Sequence, residues 1–234
     1  MTPRRKTRTS DRPGRPVANP DRDTRTQLIN AATEAFAQQG VAATTLRTIA
    51  HRAGLTPAMV HYHFKDRDQL LDAVVGERLG PLISHVWDPV TAGDDPAEML
   101  TGIVERLLQQ IERAPWIPST WMREILTEDG LLRSRIVRRL PFEKVKIVAQ
   151  TVAAAQACGD LNPDLDPFLL VFSTLGTVMV HMATMKVWAQ VFQRPPLDRK
   201  AMQRHIVGLL RHGLSSPGSL ERKMRSRSFA RSKS

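Results

Sequence analysis

The sequence predicts an all-α protein, and three observations carry that prediction. Apolar residues recur at three- and four-residue spacing through the long windows. Those windows open on Thr or Asp caps and close on glycine, and none shows the period-two alternation of a half-buried strand. The connections are short, so the chain reads as about nine helices in sequence: an N-terminal three-helix helix-turn-helix unit, then a larger all-helical unit. No internal repeat is visible. A length of 234 residues suits two such units, each with its own core.

From Thr24 to Gln39, Leu28, Ile29, Ala32, Ala35 and Phe36 share one helical face, and Gly40 stands where a glycine ends a helix. Thr45 is placed to cap the next run, Leu46 to Ala53, whose Leu46, Ile49, Ala50 and Ala53 form an apolar face before Gly54. Leu55 packs, Thr56 caps, and Pro57 suits the first position of a third helix running to Phe64. A short helix, a glycine turn and a second short helix have helix-turn-helix spacing. Asp66 and Gln69 form a capping box ahead of Leu70, Leu71, Val74, Val75 and Leu79 in a fourth helix, which Pro81 ends or kinks. Further helices are expected over Pro96 to Ala114 behind the Asp95–Glu98 capping box, Pro118 to Glu128, Leu131 to Cys158, Pro167 to Phe192, and Asp198 to Gly213.

Charge is concentrated at the ends. Of a formal net charge of +11, residues 1–25 supply eight Arg/Lys against three Asp, and residues 221–234 six Arg/Lys against Glu221. Such tails lack the apolar surface to offset their ordering entropy. The expected organisation is therefore a disordered basic arm over 1–24, units over 25–80 and 81–214, and a disordered basic tail over 215–234. Basic arms attract polyanions, and DNA would gain affinity from them by counterion release. Arg12-Pro13-Gly14-Arg15-Pro16 is weakly similar to an AT-hook core, so Arg15 is a candidate minor-groove contact; a solubilising leader is the alternative.

The lone cysteine, Cys158, cannot form an internal disulfide and reads as an incidental thiol; with no apolar segment following the basic N-terminus, the expected compartment is cytoplasmic. Pro167 to Met185 is free of Asp, Glu, Lys and Arg, yet its Ser, Thr and His residues favour a buried helix over a membrane span. No Walker loop, Gly-x-Gly-x-x-Gly, Gly-x-Ser-x-Gly or His-Glu-x-x-His occurs, so no enzyme, cofactor or metal is expected; His61-x-His63 has no third ligand nearby.

The segment Gly40 to Leu71, GVAATTLRTIAHRAGLTPAMVHYHFKDRDQLL, resembles the DNA-binding segment of the TetR family of bacterial transcription regulators. The matching features are the glycine before the Thr-Thr cap, Ile49-Ala50-x-x-Ala53-Gly54, Thr56 opening the third helix, and His63-Phe64-Lys65 leading into a charged, leucine-ending helix. Beyond residue 80 the likeness is architectural, with Gly159 to Pro167 leading into a long penultimate helix. It implies double-stranded operator DNA as partner, repression, and a small-molecule cavity in the second unit.

The residue chemistry also points to DNA. Val60 and Phe64 anchor the third helix inward; Pro57, Ala58 and Met59 offer apolar contact to thymine methyls, while His61 and Tyr62 reach phosphates. Arg47 is the candidate bidentate guanine contact. Thr45 and Thr56 bond phosphates at helix N-termini, and Lys65 and Arg67 hold the backbone. Two positions depart from the family pattern: His61 stands where Tyr is common, and Pro57 where polar residues often read bases. His63 reads as a packed residue.

In the second unit, Met99, Ile103, Leu107, Trp116, Trp121, Met122 and Ile125 form the expected effector pocket, a placement the family resemblance implies. The 167–192 helix is apolar nearly all round and needs two partners. One face should cover its own unit. The other, with Leu175, Val178, Met179, Met182, Ile206, Leu209 and Leu210, should meet a second copy in a four-helix bundle. The expectation is a homodimeric operator-binding repressor released by an apolar or amphipathic effector. Two alternatives remain open from sequence: an architectural protein coating AT-rich DNA without an effector, and a helical small-molecule-binding or catalytic bundle with incidental basic tails.

Overall fold

The computed structural model describes residues 20–127 and 130–215; Arg15 and most of both basic tails lie outside the described residues. All of the regular structure among these residues is helical: eleven α-helices and one π-turn. Helix α1 (Pro20–Gln39) begins four residues earlier than the apolar pattern indicates, because Asp21 and Asp23 complement the helix dipole in its first turn. It stops at Gly40, whose φ of +86° suits a residue without Cβ.

Thr45 caps α2 (Leu46–Arg52) by accepting the Thr48 N–H at 3.1 Å, and Gly54, at φ +69°, turns the chain into α3 (Pro57–His63). Asp66 caps α4 (Arg67–Val74) by accepting the Gln69 N–H at 2.8 Å, while Gln69 reaches back to accept the Lys65 N–H. Pro81 does not end the run. A π-turn, Val75–Leu79, widens the backbone, with the Gly80 N–H donating to Val75 O, and α5 (Gly80–Trp87) carries on past the missing proline N–H.

The second unit holds α6 (Pro96–Arg113), capped by Asp95, and α7 (Ile117–Glu124), which stops short of the expected Glu128. The single helix expected over 131–158 is two helices, α8 (Arg133–Val137) and α9 (Phe142–Ala157). Pro141 separates them, since it lacks a donor and pushes Leu140 away from helical geometry. Asp166 caps α10 (Pro167–Val191), and Asp198 caps α11 (Arg199–Leu214).

The apolar core falls into two clusters. One gathers Leu28, Ile29, Phe36, Ile49, Val60, Phe64, Leu70 and Val74 beneath the helix-turn-helix, and Leu132 and Ile136 from the α8 region join it, although they lie far beyond residue 80. The other joins α5, α6, α9, α10 and α11 around Leu100, Ile103, Val148, Val171, Val178 and Ile206. Leu82, Trp116 and Trp121 pack against both.

Helix α10 covers its own unit with one face and leaves the other exposed. It is long and apolar enough to cross a membrane by composition, with a window mean hydropathy of 1.7, and only 28% of that window is buried within the chain. Leu170, Val171, Thr174, Val178 and Met179 face the chain's own core, whereas Phe168, Leu169, Phe172, Val180, Val187, Trp188 and Val191 are exposed. This corrects the expected seam. Val178, Met179 and Ile206 are enclosed by their own subunit, Leu175 lines an apolar cavity, Met182 and Leu210 are half-buried, and only Leu209 stands free.

Candidate nucleic-acid interface and effector cavity

Helices α2 and α3 are held from beneath by Ile49, Ala50, Val60 and Phe64, all buried, so the positions between these anchors face outward. Arg47, Thr56, Pro57, Ala58, His61 and Lys65 are exposed, and Tyr62 is the most open large side chain on this face at 72%. Its ring edge packs against His63, while most of its surface stands open to solvent. Arg47 and Lys65 have no ion pair among the described residues, in contrast to Arg52, which leans on Gln38 and Glu34.

Three of the expected contacts sit differently. The Thr45 hydroxyl caps α2 and touches the Thr48 hydroxyl at 2.9 Å, whereas Thr56 makes no side-chain cap bond and keeps its hydroxyl open. Met59 is half-buried, leaving only its edge outward. Arg67 is also half-buried, and its guanidinium donates to the Val41 carbonyl, so it braces the loop before α2. His63 is packed: its side chain is 4% exposed, lies edge-on to Tyr62 at 5.0 Å, and holds Nε2 3.7 Å from the Asp21 carboxylate.

Two further pairs stiffen the base of this unit. Arg25 grips Glu77 with two hydrogen bonds, at 2.6 and 2.8 Å, and lies 5.3 Å over the Phe64 ring. The Arg25 hydrogen bond holds the Glu77 carboxyl below its ordinary range, chiefly against the opposing effect of burial. Arg135 of α8 donates to Asp72 at 2.7 Å and to Asp68 at 2.8 Å, tying α8 to α4.

Between the two clusters lies an apolar cavity of about 80 Å³. Its wall includes Leu79 from the π-turn, Leu82, Ile83 and Trp87 from α5, Leu107 and Gln110 from α6, Trp121 from α7, and Ile136 from α8. Of the seven residues expected there, Leu107 and Trp121 line it. Met99 and Ile103 are sealed in the core, while Trp116, Met122 and Ile125 are half-buried outside the lining. The wall comes from five stretches distant in sequence, so spacing along one helix pair pointed to only part of it. Gln110 did carry a local mark, as a polar residue three positions after Leu107 on the apolar face of α6.

The family model for bacterial regulatory proteins of the TetR family matches residues 28–74, which span α1 to α4. The transcriptional repressor KstR2 of Rhodococcus jostii is 30% identical over 193 residues, covering 82% of this chain and 92% of that protein. The chain belongs to the TetR family of transcriptional regulators. Solved TetR-like structures share its fold. FadR of Bacillus subtilis in complex with stearoyl-CoA superposes with a TM-score of 0.60 at 20% identity, over 81% of this chain and 98% of FadR. AibR in complex with isovaleryl coenzyme A and operator DNA does so at 0.64 and 21%, over 80% and 97%. In this TetR-family regulator the exposed α2–α3 face is therefore part of a DNA-binding helix-turn-helix.

Proposed function

We propose that this chain is a cytoplasmic, homodimeric repressor that grips a palindromic operator through α2 and α3 and releases it when a small apolar or amphipathic effector fills the cavity. The observation that carries the reading is where the cavity lies: Leu79 and Ile136 belong both to its wall and to the core beneath the helix-turn-helix. A ligand pocket usually spans roughly 300–1,000 Å³. A cavity of about 80 Å³ must widen to accept one, and Ile136 and Leu79 are among the side chains that would move.

Motion of Ile136 carries α8 with it, and Arg135 links α8 to Asp68 and Asp72 on α4, the helix that follows α3. In a twofold dimer, recognition helices must meet half-sites about 34 Å apart, so a small swing of α4 in each subunit lowers affinity. The effector favours the arrangement with the wider cavity, and operator binding falls as that population grows. CoA thioesters in two structural neighbours agree with an effector whose apolar part enters such a cavity.

The second copy covers the exposed face of α10 with Leu209 of α11. An apolar surface this large on one side of a helix calls for a partner. The twofold partner supplies the same surface in reverse.

Within this dimer the DNA contacts are Arg47 to a base edge, Tyr62, His61, Thr56 and Lys65 to phosphates, and Pro57, Ala58 and the edge of Met59 to methyl groups. Arg15 joins from the arm.

Selection of bound duplexes from a random pool, followed by footprinting, tests the reading. The expected outcome is one inverted repeat with protection confined to it. Extended protection without a repeat would replace the repressor by a DNA-coating protein, and absence of DNA binding would sink both.

A further inference from the structure

Gln110 is the only carboxamide and, beside the indole N–H donors of Trp87 and Trp121, the only hydrogen-bonding side chain among the residues lining the cavity, and it is 5% exposed. Its carboxamide has no hydrogen-bond partner among the described residues. An amide removed from water without a partner opposes folding, and leucine at this position would continue the apolar face of α6 without that cost. A carboxamide without a partner, on a side chain only 5% exposed and lining an apolar wall, is therefore set to meet a group that arrives with the ligand.

The remainder of the wall defines that ligand further. No charged residue lines the cavity, so a carboxylate or ammonium inside it would be stripped of water with no counter-ion. Glu124, the nearby buried acid on α7, already accepts the Leu132 N–H at 3.0 Å and lies outside the lining. A ligand with several polar groups would leave most of them against leucine, isoleucine and tryptophan. A pure hydrocarbon would leave Gln110 unpaired.

We propose that Gln110 selects effectors whose cavity-bound part is uncharged and carries one carbonyl or hydroxyl on an otherwise apolar body. This rests on the effector reading above and deepens it. Carboxamide Nε2 donates to a carbonyl or hydroxyl oxygen, and Oε1 accepts from a hydroxyl. A ligand with a charged extension fits only if that extension remains outside the wall.

Trp87 and Trp121 line the cavity and report its occupancy by fluorescence without any operator present. Three probes of similar size separate the terms: cyclohexanone, methylcyclohexane and cyclohexanecarboxylate at pH 7. On the full chain both neutral probes should bind and the carboxylate should bind at least tenfold more weakly than the ketone. The preference for cyclohexanone relative to methylcyclohexane should fall about tenfold in Gln110→Leu and in Gln110→Met, the worth of one hydrogen bond. Comparing two ligands on each protein cancels general changes in the wall, and circular dichroism confirms the fold.

A relative preference unchanged in both variants, or a carboxylate that binds the wild-type chain as tightly as the ketone, overturns the inference while leaving the cavity a ligand site. The carboxylate comparison needs no variant. Failure of all three probes to alter the fluorescence removes the effector reading itself, and the inference with it.

Discussion

The proposed dimer rests on a distinction between the two faces of α10 that a pair of charge substitutions resolves. Phe172 and Trp188 are 50% and 53% exposed on the isolated chain, so glutamate at either leaves the subunit core intact. Val178 is fully enclosed, so glutamate there strands a charge inside the subunit. If the exposed face is the seam, an unpaired carboxylate within it costs about 3–5 kcal/mol, and the twofold places each substitution there twice, for about 6–10 kcal/mol. At about 1.4 kcal/mol per tenfold, association weakens by four or more powers of ten, and a nanomolar dimer becomes monomeric at micromolar concentration.

Sedimentation velocity reads the assembly and circular dichroism the fold. Phe172→Glu and Trp188→Glu should sediment as folded monomers. Operator affinity should drop further than loss of any one contact explains, because half-sites are then bound singly and an avidity factor of about 10²–10⁴ disappears. Val178→Glu should instead lose cooperative unfolding, since several kcal/mol is a large share of a typical stability of about 5–15 kcal/mol. Dimeric sedimentation of Phe172→Glu and Trp188→Glu at micromolar concentration, with helices intact, would refute this seam.

Four other outcomes are expected. Arg47→Ala should weaken binding to the selected operator by about 1–3 kcal/mol more than to random duplex in fluorescence anisotropy; equal losses would make it a phosphate contact. Deleting residues 1–20, which removes six Arg/Lys, should lower affinity and flatten the salt dependence, and an unchanged slope would show that the arm stays off DNA. Arg135→Ala, which unties α8 from Asp68 and Asp72, should speed hydrogen exchange of the α8 amides while sparing α9; unchanged rates would show that packing alone holds α8. Glu77→Gln bears on acid stability. Because Arg25 depresses the Glu77 carboxyl, the pair's contribution is present above the ordinary carboxylate pKa and lost as pH falls through the lower folded value. With both partners more than a third exposed, it should amount to under about 1 kcal/mol at neutral pH in chemical unfolding and vanish in acid; a pH-independent difference would contradict this.

Much of the N-terminal unit could be read from sequence because its determinants are local. Thr45, Gly54, Pro57 and Asp66 act on backbone within three residues of themselves, and Ile49, Ala50, Val60 and Phe64 obey a period that survives folding. The phase of α10 was harder. Apolar residues surround it on every side, so periodicity offers no way to choose the stripe facing its own core, and Val178 and Met179 lie on the side opposite to the one expected. The cavity was harder still, since Leu79, Ile136 and Leu107 meet there only once distant helices have packed.

The places where local rules failed also share a location. Pro81, expected to end or kink a helix, follows a π-turn; Pro141 divides an expected long helix and frees α8 to dock under the helix-turn-helix; Gln110 breaks an apolar stripe. Leu79 within the π-turn, Ile136 in α8, Leu140 beside Pro141, and Gln110 all line one cavity. Irregular backbone and an unpaired amide have a cost that a purely structural bundle has no reason to accumulate around one void. A segment that must adopt two packings, by contrast, benefits from short elements with few neighbours. α8 has five residues, two proline-bounded or loop-bounded ends, and one two-pronged tether to α4, so it can shift as a unit when Ile136 is displaced. The same irregularities that hid the cavity from a periodic reading supply the movable wall that the proposed effector control requires.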